Sequence, residues 1–194
     1  MKNISLALAV SLMIISAVAG IGVGYWLTPQ YNLSMYDKNV MDLGQPDKWV
    51  DLRYIDAMIA HHKGAVLMAE QASRSQRPEI RELAASILKD EPPNIDELYR
   101  WKKERYGDSR SVRDPQVPKF GQVNRTFDLR FLNALIAHHR DGIRMTREIR
   151  LKSSSSEILD NADKTEQFFE NGIAMLSDWR RKWYTLTDLQ PAQP

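Results

Sequence analysis

The chain has 194 residues, enough for one ordinary domain and a targeting segment. Its 43% hydrophobic and 27% charged residues belong to a folded protein, and a net charge of +2 with acidic and basic residues interleaved offers no concentrated basic face for nucleic acid. No cysteine is present, which excludes disulfides, thiolate metal sites and covalently attached c-type haem.

The run Ile4 to Leu27 carries no charge. At a helical rise of ~1.5 Å per residue it is long enough to cross the ~30 Å hydrocarbon core. Tyr25 and Trp26 stand where an interfacial aromatic belt belongs, and Lys2 keeps the short end cytoplasmic by the positive-inside tendency. Residues 1–27 are therefore expected to be a transmembrane helix with the body of the chain in the periplasm or outside the cell. The alternative is a signal peptide cleaved near Ala19, because Ala17-Val18-Ala19 has the form of an A-x-A site.

Residues 28–46, with Pro29, Gly44 and Pro46, read as a linker. A first helix is expected from an N-cap at Asp47 to about Gln76. Its inward stripe runs through Asp51, Tyr54, Ile55, Met58, His61, His62, Ala65, Met68, Ala69 and Ala72, within an arc of about 140°. Pro78 opens a second helix, which Pro92-Pro93 is expected to break or kink near Asp90 before it stops near Gly107. Asp108 to Arg125 reads as a connecting loop. A third helix runs from about Thr126 to Leu151. Ser154 and Glu157 form a capping box for a fourth, with Ile158, Ala162, Phe169, Ile173, Leu176 and Trp179 on one side, ending near Tyr184.

The first and third helices are copies. Asp51 to Met68 lies over Asp128 to Met145 without a gap at an offset of 77, with nine of eighteen positions identical. Ile95, Leu98 and Trp101 answer Ile173, Leu176 and Trp179 at an offset of 78. An amphipathic helix pair cannot bury its apolar face alone, so two repeats, about 47–107 and 126–184, predict an all-α antiparallel four-helix bundle over 47–184. Pseudo-two-fold pairing would bring the first helix against the third.

All four histidines, His61, His62, His138 and His139, sit in the duplicated segment. Neutral imidazole is a common metal ligand, and Met58 lies within one helical turn of His61 and His62. Imidazole with thioether favours copper, above all Cu(I). Met68 and Met145 share the inward face but stand ~10 Å further along the axis from His61 and His138, as a second site or as packing. Neighbouring helical residues diverge by 100°, so one histidine of each pair should face the opposite repeat and the other its own second helix. The competing explanation is a buried polar network in which the rings bond to carboxylates such as Asp51, Asp56 or Asp128. A ferritin-type di-iron site is disfavoured, since Met58 and Leu135 replace the glutamate three residues before each pair. No motif of a hydrolytic or nucleotide-dependent enzyme is present, and bis-histidine ligation of haem stays open.

The segments Met58-Ile-Ala-His-His-Lys-Gly-Ala-Val-Leu-Met68 and Leu135-Ile-Ala-His-His-Arg-Asp-Gly-Ile-Arg-Met145 resemble the repeated His-His signature of domain-of-unknown-function family 305. The resemblance implies a ferritin-like bundle exported from a bacterial cell, with copper binding among some relatives. It carries over to His61, His62, Met68, His138, His139 and Met145. The expectation is thus a membrane-anchored metal-binding protein, not an enzyme, with copper as its ion and Met58 as an added ligand. The alternative is a structural or partner-binding helical module whose histidines hold no metal.

Overall fold

The structure, a computed structural model, describes residues 42–184. The expected transmembrane segment, most of the linker and the tail lie outside the described residues. Among the described residues no helix is long and apolar enough to cross a membrane. The described residues form four helices and no strand: α1 (Val50–Ala72), α2 (Pro78–Tyr106), α3 (Phe127–Arg150) and α4 (Ser156–Trp183).

Each repeat is a helix hairpin, α1 with α2 and α3 with α4, and the hairpins join through α1 and α3. Ser75, just past α1, donates to Asp128 at the start of α3 at 2.6 Å, so these two helices run antiparallel. The outer helices touch at both ends: Arg77 lies 4.1 Å over the Trp183 ring, and Arg105 pairs with Glu157. The core follows the α1–α3 seam, with Phe131, Leu132 and Met68 toward one end and Tyr54, Ile59 and Ile149 toward the other.

α1 is buried on nearly every side, wider than the stripe predicted for it. The segment between the repeats explains the difference, because it covers the flank that α2 and α3 leave. Lys63 donates to the Val112 carbonyl at 2.7 Å, Gln71 exchanges bonds with Pro118 and Phe120, and the Phe120 ring enters the core.

The repeat begins earlier than its helical period shows. Arg53 donates to the carbonyls of Leu43 and Gln45, both at 2.6 Å. Arg130 does the same to Phe120 and Gln122, at 2.8 and 3.0 Å. Leu43 and Phe120 are buried, and Gly44 and Gly121 both take positive φ, 64° and 67°. Positions expected to be linker are thus an arginine-held prefix to each hairpin.

Three local expectations change. Asp47 is not the N-cap of α1; it bonds the amide of Trp49 and pairs with Arg53, two residues ahead of the cap position, Trp49. Ser154 and Glu157 form no capping box: α4 starts after Ser155, whose amide bonds the Ser153 hydroxyl, while Glu157 turns to Arg105. Pro92-Pro93 does not break α2, which is helical from end to end. Both prolines lie on its exposed side; of the two residues whose carbonyls lose an amide donor, Lys89 is exposed and Leu88 half-buried, while packing on α1 holds the rest of the helix.

Candidate functional site

The duplicated segments cross at their histidines. His61 and His138 stack with ring centroids 3.6 Å apart and planes 18° from parallel. Each pair divides as the 100° step requires. His61 reaches the other repeat, donating from Nε2 to the His138 carbonyl at 2.9 Å. His62 turns to its own second helix and donates from Nδ1 to Glu91 at 2.5 Å. His139 turns toward α4, its ring 5.0 Å from Phe169 and 6.1 Å from Phe168. It rests on the backbone at Gly172, where a Cβ would stand 2.5 Å from its Nε2.

Because α2 and α4 stand apart between their end contacts, a cleft of about 560 Å³ opens between them. All four histidines line it, with Glu91 and Asp90 from α2 and Phe168, Phe169 and Met175 from α4 among its walls.

The site holds His61, His138 and His139 neutral. Burial, reinforced by His62, lowers the His61 pKa from 6.5 to about 3. Burial, with His61 beside it, puts His138 well below its ordinary value, and burial, opposed by a backbone bond to Leu135, takes His139 to about 4. Asp141, buried at the second pair, is raised to about 7. A neutral imidazole has one N–H and one lone pair, and the acceptors here fix which is which. His61 is protonated at Nε2, leaving Nδ1 as the lone pair; at His62 the Nδ1–H is held by Glu91, so Nε2 is the nitrogen turned away from that carboxylate.

Three buried ring nitrogens without a hydrogen-bond partner, His61 Nδ1, His138 Nε2 and His139 Nδ1, belong to histidines that line the cleft; Asp141 Oδ2, two residues past His139, is another such atom but does not line it. Native interiors satisfy most such atoms, so three on one cleft leave donor nitrogens available there. As the side chains stand, no three His, Asp or Glu groups among the described residues surround one point. The histidines fit a metal in donor chemistry, with an N–H held by a carbonyl or carboxylate behind two of the four rings.

The methionines predicted beside the histidines do not join them. Met58, Met68 and Met145 are fully buried in the two apolar clusters, and none lines the cleft. They share the helix face with the histidines but point into the seam above and below them, where they pack. Met175, which the sequence did not single out, does line the cleft. The carboxylates named as ring partners are engaged elsewhere: Asp56 holds Lys102 at 2.7 Å and Asp128 bonds Ser75. Asp51 keeps a buried oxygen without a partner and makes no bond to a histidine. Glu91 takes that role instead. Its signal was present in the sequence, because an acid at 91 falls on the apolar stripe of Ile80, Ala84, Ile87, Ile95 and Leu98.

The family described as "Domain of unknown function (DUF305)" matches residues 51–126, which bears out the resemblance carried by the His-His motif over that stretch. Among solved structures the chain is similar to CopM. The structure titled "CopM in the Cu(I)-bound form" superposes with a TM-score of 0.63 at 25% identity, over 71% of this chain and 100% of that one. "CopM in the Ag-bound form (by co-crystallization)" gives 0.62 at 25% identity, over 70% and 98%. The apo form of the same protein gives 0.61 at 25% identity, over 70% and 98%. No curated protein matches the chain.

Proposed function

We propose that this is a membrane-anchored, extracytoplasmic metal-binding protein that takes copper in the cleft between α2 and α4, for homeostasis or transfer and without catalysis. The observation that carries the proposal is the set of four buried histidines on one cleft, three of them with an unpartnered ring nitrogen and a neutral ring. The similarity to CopM, with forms bound to Cu(I) and to silver, supports the same choice of ion. The uncharged run from Ile4 to Leu27 supports the anchor.

The test is anaerobic Cu(I) and aerobic Cu(II) titration of the full chain in detergent, beside a His61→Ala, His138→Ala double variant. Wild type should bind copper and melt at a higher temperature with it, since a ligand that binds only the folded state must stabilise it. The double variant should lose at least about tenfold in affinity, more than 1.4 kcal/mol. Equal binding by the two proteins would refute the assignment. An unchanged melting temperature would return the histidines to a purely structural network.

A further inference from the structure

The two His pairs are copies, but the walls they face are not. The second helices correspond at an offset of 78, and equivalent contacts fix that register: Lys102 holds Asp56 at 2.7 Å, and Arg180 donates to Asn133 at 3.0 Å. In this register Asp90 and Glu91 of α2 correspond to Phe168 and Phe169 of α4. Glu91 is buried and bonded to His62, whereas Phe169 is buried and lies against His139 and His61. No carboxylate takes the place of Glu91 behind His139, and the wall there carries Phe168, Phe169 and, one helical turn beyond Gly172, the exposed side chain of Met175.

Resting on the assignment of the cleft as a metal site, we infer that Glu91 and Met175 divide it into two half-sites of different ion preference. The first-repeat half takes a borderline divalent ion such as Cu(II). There Glu91 is a positioning residue: it holds the Nδ1–H of His62, aims Nε2 at the cleft and supplies the negative charge that a dication needs. The second-repeat half takes a soft monovalent ion such as Cu(I) or Ag(I). Its donors are His139 and Met175, and α4 lines the cleft there with the Phe168 and Phe169 rings and with no carboxylate.

The experiment uses the full chain with Cu(II), and with Ag(I) as a monovalent probe that does not change oxidation state in air. Glu91→Leu keeps the bulk and removes the acceptor; Glu91→Gln keeps an acceptor and removes the charge. Glu91→Leu should weaken Cu(II) about tenfold or more and leave Ag(I) within twofold, with Glu91→Gln between wild type and Glu91→Leu. Met175→Leu should do the reverse. In metal-free wild type, histidine-ring nitrogen NMR should find His62 in the Nδ1–H tautomer, and Glu91→Leu should lose that assignment. Any of three results overturns the division: equal effects on both ions, no effect on either, or the Nε2–H tautomer at His62 in wild type. The last needs no variant to fold. If wild type binds neither ion, the metal assignment itself falls; if it binds both and the variants fail to separate them, only the division does.

Discussion

Three glycines lie inside helices against the aromatic rings of the site, and the space around each differs. At Gly142 an added Cβ would stand 2.1 Å from the Phe169 ring; at Gly64 the nearest atoms, on His138 and Pro115, are 3.4 Å away. Replacing a mid-helix glycine by alanine gains about 1 kcal/mol of helix propensity, whereas forcing a methyl into a packed ring costs about 1–3 kcal/mol. Gly64→Ala should therefore be neutral or raise the melting temperature. Gly142→Ala should lower it, because Phe169 is buried between His61 and His139 and cannot simply swing away. Thermal melts of the two variants check this, and a stabilised Gly142→Ala would count against the packing of Phe169. The histidines themselves were legible in the sequence as inward-facing residues. Their partners were less so, since Glu91 lies on a different helix beside two prolines that read as a break.

At the scale of the element, α2 keeps two adjacent prolines in its interior. A proline costs a helix up to about 3 kcal/mol relative to alanine, through the lost amide and the clash with the preceding turn. Both prolines are exposed, so their replacement removes no packing. Pro92→Ala with Pro93→Ala should raise the urea midpoint. If the midpoint falls, the prolines are holding a local shape that the cleft wall needs. Helix existence, order and the α1–α3 pairing were readable from the 3.6 period and the repeat. The prefixes at Leu43 and Phe120 were not, because their evidence is an arginine reaching back ten residues to backbone carbonyls, which leaves no periodic trace. Proline misled in the opposite direction: it marks a broken hydrogen-bond ladder, but tertiary packing decides whether the helix breaks.

For the whole molecule, the neutral histidines tie folding to pH. In the unfolded chain each takes up a proton near 6.5; in the folded chain His61 does so only near 3, His139 near 4, and His138 well below its ordinary value. Between those limits the unfolded state binds more protons, so each histidine removes about 1.4 kcal/mol of stability per unit of acidification. Asp141 acts in the opposite sense. Its folded pKa of about 7 lies above 3.8, so between these values the folded form binds the extra proton and stability rises as pH falls. Three histidines against one carboxyl leave a net loss. Urea unfolding of the metal-free protein should therefore show a midpoint falling steadily from pH 6.5 toward 4.5, and a flat profile would contradict neutral, buried rings.

The pairing of Glu91 with Phe169 has a consequence for how such a cleft can arise. A cleft assembled from two identical hairpins on separate chains would carry every substitution twice, giving either two acidic walls or two aromatic ones. Joining both hairpins in one polypeptide removes that constraint, because each wall then has its own codons. The covalent connection from Gly107 to Thr126 thus does more than cover α1: it lets two descendants of one surface specialise while still enclosing a shared space.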